Sequence, residues 1–571
     1  MEAERVEKAL TTAGGAIDDR FGAAGPARRA LGKAFPDQWS FFLGELALYS
    51  FIILILTGTF LALFFHPSMA EIVYHGSYTK LDGVSMSEAY ASTLNISFDI
   101  RGGLLVRQIH HWAALVFLGA IAVHALRIFF TGAFRRPREV NWVIGTVMFA
   151  LGAVEGFAGY SLPDDLLSGT GLRIAEGIME SIPIVGTYFT YFFFGGGYPG
   201  QASVPRLYIV HVLLIPGLIL ALVTAHLMAV WHQGHTQWPG TRQREHTEVG
   251  SPMYPLFLLK TTSLFLFTFG ILTVLATMAQ INPVWLFGPY DPLSVSNGSQ
   301  PDWYFAFVEG ALRLMPGVET NVAGHTIVWN VLVPAVLLPT VFFAGMIGYP
   351  FFERWVTGDR RPHQVLDRPR NVPARTGLGA AILVSAGVVQ AAGGDDVIAF
   401  HLGLAVEDVV WVLRIGFFVF PVVAFLVTRR ACVMLQRADR RRLRAGRTFA
   451  VVSQEASSPQ THSPRAGGQE ADGTSPGRAY VPVSRPVSDE ERERLDARRP
   501  DELIRPIPRH LVPMPTPGRV LEQVRARVNH YYLLSWLETP YKDGTPPETP
   551  GDHRGRAEPD TGDETTSRPD H

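Results

Sequence analysis

Long apolar runs separated by charged connections dominate this chain. Eight stretches stand out, at residues 41–65, 105–130, 141–160, 207–231, 260–280, 327–349, 377–392 and 408–428. A helix needs ~20 apolar residues to cross the hydrocarbon core. The pattern therefore predicts an all-α polytopic membrane protein with eight transmembrane helices. The seventh stretch is the shortest and carries Ser385 and Gln390.

Charge alternates between the connections. One set holds Arg28, Arg29 and Lys33, then Arg135, Arg136 and Arg138, then Arg242 and Arg244. The same set continues with Arg354, Arg360, Arg361, Arg368, Arg370 and Arg375, and ends with Arg429 and Arg430. The alternate set holds only Lys80, Arg101, Arg173 and Arg313. Cytoplasmic loops are enriched in Lys and Arg, so both termini are expected in the cytoplasm. An even number of spans requires the weak seventh one.

The chain then divides into a polar N-terminal segment (1–40), four spans (41–235), four further spans (236–430) and a tail (431–571). Outer connections 161–205 and 281–326 are too long to be simple turns, and such loops tend to be functional. The tail starts basic, with Arg437, Arg440, Arg441 and Arg442, then turns Ser/Pro/Gly/Glu-rich and is expected to be largely disordered. Its one stretch amphipathic enough for a docked helix runs from Arg519 to Glu538. The first forty residues lack a short apolar core and a small-residue cleavage site, which predicts an uncleaved N-terminus.

Composition narrows the chemistry. The chain is 47% hydrophobic and 18% charged, with a formal net charge of −1, which gives no reason to invoke nucleic acid. Its single cysteine, Cys432, excludes an intrachain disulfide, covalent haem attachment through two cysteines and an all-cysteine metal cluster.

Within the apolar runs, histidines repeat. His110 and His124 lie 14 residues apart in the second span, and His211 and His226 lie 15 apart in the fourth. At ~1.5 Å per residue each pair is separated by about 21–23 Å along its helix, on nearly the same face. A histidine inside the bilayer is costly unless it is paired, ligated or hydrated, and neutral imidazole is a good iron ligand. Two matched helices predict two stacked, non-covalent b-type haems, one between His110 and His211 near the outer face, the other between His124 and His226 near the cytoplasmic face. His111 points about 100° away and is expected to be structural or interfacial.

The first and third spans repeat the same ruler, with Gly44 and Gly58 fourteen apart and Gly145 and Gly159 fourteen apart. Glycine lets a bulky group approach the backbone closely. Arg107, Arg127 and Arg206 lie near the proposed ligands and are candidates for haem propionates; snorkelling from helix ends is the alternative.

With these residues in place, the chain resembles cytochrome b of the respiratory cytochrome bc complexes over about residues 40–430. The elements that carry the resemblance are the two histidine pairs, the two glycine pairs, the three arginines and Pro301-Asp302-Trp303-Tyr304, which is similar to the family's Pro-Glu-Trp-Tyr motif. The resemblance implies quinol oxidation near the outer face. One electron would pass to a Rieske iron–sulfur protein. The other would pass through a low-potential outer haem and a high-potential inner haem to quinone at the cytoplasmic side, generating proton motive force. It implies Asp302 as acceptor of a quinol proton and Tyr304 as a hydrogen-bonding partner of the quinol. His232 is the candidate proton-transfer group of the inner quinone site, one residue out of the family's register. His235 and Glu248, on the same side as Lys260, are expected to be surface polarity.

Several departures matter. Asp302 replaces glutamate, and Asp164-Asp165-Leu166 departs from the mitochondrial pattern after Gly159-Tyr160-Ser161-Leu162-Pro163. The spacing of 15 in the fourth span is similar to the photosynthetic branch, yet both halves are fused here. Fusion, Asp302 and the long tail resemble the actinobacterial type. That type implies menaquinol as substrate, a bacterial plasma membrane with its lipid, a cytochrome c subunit similar to a di-haem c1, a haem–copper oxidase in a supercomplex, and a homodimer. Two other readings remain open from the residues: a di-haem membrane anchor of a quinone-linked dehydrogenase, and a haem-free proton-coupled transporter.

Overall fold

The computed structural model describes residues 24–455 except 37, 199, 241–242 and 295–299, together with Thr12, 18–20 and 22. The stretch Arg519–Glu538 lies outside the described residues. Eight helices are long and apolar enough to cross a membrane. They are α1 (Trp39–Ala62), α2 (Gly103–Thr131), α3 (Glu139–Tyr160), α4 (Ser203–Gln233), α5 (Met253–Met278), α6 (Trp329–Thr357), α7 (Pro373–Ala392) and α8 (Val406–Arg441). All eight expected spans are present, with α5, α6 and α7 starting or ending several residues from the apolar limits.

The largest difference is at α8. Its helix runs without a break from Val406 to Glu455, so the expected boundary at residue 430 falls inside a helix. The hydrophobic run ends there, but Arg, Leu and Ala are good helix formers and carry the helix past it.

Proline shapes three spans. Val210–Leu214 in α4 and Val333–Leu337 in α6 are π-helical turns, each followed two residues later by a proline, Pro216 and Pro339. A third π turn, Met253–Phe257, contains Pro255. Proline removes an i→i−4 hydrogen bond and crowds the preceding turn, and a π turn accommodates one extra residue. The turn in α4 contains His211. The one-residue excess of its histidine spacing is therefore absorbed where the first histidine sits.

The short seventh span is a full helix for a packing reason. Gly377 leaves only 3.0 Å between a built Cβ and the Phe425 ring of α8. Small residues let helices approach where hydrophobicity alone gives no preference over lipid. Along the same helix, Gly310 of the helix Ala306–Leu314 seats against the Val389 carbonyl, where any Cβ would lie 1.8 Å away.

Connections at the end bearing the N-terminal segment are tied by ion pairs. Asp367 accepts from Arg135 at 2.9 Å and Arg375 at 2.7 Å; Arg375 also reaches Glu353 at 2.9 Å, and Arg354 reaches Glu139 at 3.1 Å. Several arginines of the charge-rich set thus have a structural use besides orientation. Gly132 closes α2 at φ 66°, where a side chain would collide with Arg135 and Arg375. Ala34–Phe35 pairs with Ser251–Pro252, so part of the N-terminal segment is docked on the start of α5.

Between the two histidine levels lies an apolar layer. Ala47, Phe51, Phe117, Leu118, Ala120, Ile215, Ile219 and Tyr304 form one buried cluster. Phe51 and Phe117 stack in it with ring centroids 5.6 Å apart.

Candidate functional site: two imidazole levels and an outer carboxylate

Each of the four glycines faces one histidine. A Cβ on Gly58 would stand 3.1 Å from His110 Cε1, and one on Gly159 would stand 2.4 Å from His211 Cε1. At the other level, a Cβ on Gly44 would be 3.2 Å from His124 Cε1, and one on Gly145 would be 3.8 Å from His226 Cε1. The matched rulers of α1 with α2, and of α3 with α4, thus meet in space residue by residue. We refer to the His110/His211 level as outer and the His124/His226 level as inner, following the charge pattern.

The rings of His110 and His211 face each other with centroids 6.2 Å apart and planes 79° apart. A flat macrocycle with a central metal fits that gap. Two metal–imidazole bonds of about 2.0 Å, as in zinc sites, plus ring radii of about 1.1 Å, sum to roughly 6 Å. Two of the three candidate arginines offer unpartnered donors nearby. Arg107 Nε, and Arg127 Nε and Nη2, are buried without hydrogen bonds. Arg107 Nη2 donates to Asn282 O at 3.1 Å, and Arg127 lies 4.1 Å over the Phe41 ring. Buried guanidinium donors without acceptors are costly, and propionates would satisfy them. Arg206 is spent differently. It is exposed and donates to Tyr191 O at 2.9 Å and to Phe192 O, capping the helix Gly186–Phe194.

The Pro-Asp-Trp-Tyr loop enters the outer end of the bundle. Tyr304 is buried and donates to Asp302 Oδ2 at 2.9 Å. Its ring lies against Gly156 of α3, where a Cβ would approach to 2.7 Å. Trp303 is exposed and contacts Tyr304 edge to face at 6.0 Å. Gln390 of α7 holds the loop by donating to Trp303 O at 2.9 Å. Arg313 ties the following helix to Asp395 and pairs with Glu309 one turn earlier on the same helix.

The structure gives His111 a defined polar partner. Its Nε2 lies 3.3 and 3.2 Å from the two Asp302 oxygens, so it belongs to the Asp302–Tyr304 cluster. The sequence placed His111 on a different face from His110, and the folded loop is what occupies that face.

The unusual aspartates after α3 have a structural use. Asp165 caps the helix Leu166–Glu180 in a capping box with Ser168. Burial pushes its carboxyl up to about 6 and that of Asp164 to about 7. Asp164 takes a left-handed backbone with φ 55°.

On the inner side, His232 is exposed. The residue that packs inward is His235, whose ring lies 4.7 Å from Phe35. Burial, and then the nearby Lys33, Arg138 and Arg127 charges, push the His235 imidazole down to about 3. Glu248 is buried as well. The expectation that His235 and Glu248 are surface polarity is corrected: docking of 34–35 against 251–252 covers this end of α4. Sequence reasoning also missed Glu45. On α1, one residue after Gly44, it accepts a hydrogen bond from Thr261 of α5, which also pairs with Tyr49. An acidic residue within an apolar run was the available signal.

Comparison with known proteins agrees with this architecture. A family profile described as Cytochrome b(N-terminal)/b6/petB matches residues 115–289. The cytochrome bc1 complex cytochrome b subunit of Streptomyces coelicolor is 53% identical over 435 residues, covering 76% of this chain and 80% of the relative. The corresponding subunits of Corynebacterium diphtheriae and Mycobacterium tuberculosis are 50% and 48% identical, covering 78% and 76% of this chain and 82% and 79% of their own. Among solved structures, a hyperthermophilic respiratory Complex III chain matches with a TM-score of 0.56 at 20% identity, over 72% of this chain and 98% of that one, which shows a shared fold. The protein is thus a multi-pass helical membrane protein of the cytochrome b class. It belongs to the family of cytochrome bc1 complex cytochrome b subunits found in actinobacteria.

Proposed function

We propose that this subunit carries two non-covalent b-type haems and both quinone sites of a menaquinol–cytochrome c reductase. The observation that carries this reading is the one-to-one facing of four glycines and four histidines at two levels. His110 and His211 would hold the outer haem, His124 and His226 the inner one, with Arg107 and Arg127 for propionates. When bound, the haems supply one-electron carriers stacked across the membrane.

The chain's own residues do the rest. Asp302 accepts a proton from quinol bound at the outer pocket, and Tyr304 and His111 hold its carboxylate in place through the contacts described above. Tyr304, wedged against Gly156, brings this loop to the same helix that backs His211 through Gly159. Phe51, Phe117 and their neighbours exclude water between the levels. On the inner side His235, Lys33, Glu45 and Thr261 supply polar groups for a quinone site; His232, exposed, is the weaker candidate there. Residues 41–235 form the di-haem half, and the four later spans form the half bearing the quinol loop. Both termini lie in the cytoplasm. One electron from quinol leaves for a Rieske subunit and on to a cytochrome c subunit. The family resemblance adds a dimer and a haem–copper oxidase as further partners.

The test is redox potentiometry with a pyridine haemochrome assay on the purified complex. Two b-type haems per subunit with separate potentials are expected; an absence of b-type absorbance refutes the reading.

A further inference from the structure

The two imidazole levels differ in what stands behind the rings. An imidazole bound to a metal through Nε2 carries its proton on Nδ1, and the partner of that proton tunes the ligand. At the inner level the His226 ring has only a backbone partner, Asn141, and neither Nδ1 meets a side-chain acceptor. At the outer level both do. His110 Nδ1 lies 2.9 Å from Thr57 Oγ1; that hydroxyl donates to Ile53 O at 2.6 Å and so is free to accept. His211 Nδ1 lies 2.9 Å from Glu155 Oε1, with the Glu155 carbonyl at 3.2 Å.

Glu155 stands one turn before Gly159 on α3, and residues four apart share a helix face. The glycine admits the His211 ring and the glutamate meets its far nitrogen. Glu155 and His211 side chains are 17% and 18% exposed, and the second carboxylate oxygen is buried without a partner. A carboxylate within a membrane helix is expensive to keep. A carboxylate that accepts the Nδ1 proton makes imidazole a more basic, more electron-rich ligand. That favours the more positive state of the metal and lowers its reduction potential. A neutral hydroxyl or backbone carbonyl does so less, and no acceptor least.

We propose that Glu155 is a positioning residue that holds the outer haem at a lower potential than the inner one. The inference rests on the reading that His110 and His211 hold that haem. It gives the inward direction of electron flow a cause within this chain: the level with the carboxylate loses an electron more readily than the level without.

The experiment is potentiometric titration of both haems in the intact complex carrying Glu155→Gln, with electron paramagnetic resonance of the oxidised haems alongside. Glutamine keeps the length and one acceptor oxygen. The expected result is about a tenfold rise in the reduced-to-oxidised ratio of the outer haem at fixed potential, which is about 59 mV for a one-electron couple. The inner haem should be unmoved, and the g-values of the outer haem alone should change. Thr57→Val should give a smaller shift in the same direction. An unshifted outer haem, or an equal shift of both haems, overturns the proposal. If Glu155→Gln fails to load the outer haem, Glu155→Asp is read instead. A smaller rise supports the proposal and no change overturns it. Wild-type complex lacking two b-haems would refute the underlying assignment; two haems with an indifferent Glu155 would refute this inference alone.

Discussion

Adding one methyl group at each of the four glycines should have graded consequences that follow the distances. For Gly159→Ala the new Cβ stands 2.4 Å from His211 Cε1. Restoring a contact of about 3.4 Å moves the ring by about 1 Å, whereas metal–ligand bonds tolerate only about 0.2 Å. Overpacking typically costs ~1–3 kcal/mol, or roughly 5–150-fold in outer-haem affinity at about 1.4 kcal/mol per tenfold. For Gly145→Ala the Cβ meets His226 at 3.8 Å, ordinary contact, so no ring movement is needed. Alanine even gains about 1 kcal/mol of helix propensity over glycine. Gly58→Ala and Gly44→Ala, at 3.1 and 3.2 Å, should keep their haems with shifted spectra. The assay is haem-to-protein stoichiometry by pyridine haemochrome, combined with redox-resolved absorbance to say which haem is lost. Gly159→Ala with two unperturbed haems, or Gly145→Ala losing as much haem as Gly159→Ala, would refute the cradle.

Asp302→Asn should slow menaquinol oxidation at least tenfold, within the 10²–10⁴-fold usual for general base catalysis or just below it, while both haem spectra stay intact. Unchanged turnover at saturating menaquinol would remove its role as proton acceptor. Arg127→Ala should weaken inner-haem retention, because the propionates would lose its buried guanidinium donors. Arg206→Ala should leave haem content unchanged and instead raise hydrogen exchange in the helix Gly186–Phe194. Asp164 and Asp165 have folded values raised by burial to about 7 and about 6, above their ordinary value near 3.8. The folded loop therefore binds protons more tightly than the opened loop. Its stability is fullest below about pH 4 and falls as pH rises through 6 to 7. Hydrogen exchange of the amides in Leu166–Glu180, corrected for intrinsic rates, should show protection declining over that range; flat protection would sink the idea.

The apolar runs dictated eight helices because a membrane span must satisfy every backbone group within itself. The histidine and glycine rulers dictated which faces of four helices meet, since helical periodicity is local. Asp302 was legible as a polar group in an apolar loop. Three things were not. The single-residue discrepancy between spacings of 14 and 15 is resolved by a π turn whose effect depends on how α4 packs. The inward turn of His235 and Glu248 depends on a strand pair between residues more than two hundred positions apart. The meeting of His111 with Asp302 joins residues 191 apart. Sequence by itself determined the spans, their levels and the imidazole pairs, because these follow from period and length along one helix. Only the tertiary structure decided which polar groups stand behind those imidazoles and which arginines remain unpartnered, because hydrogen bonds between helices are set by register and rotation across the bundle.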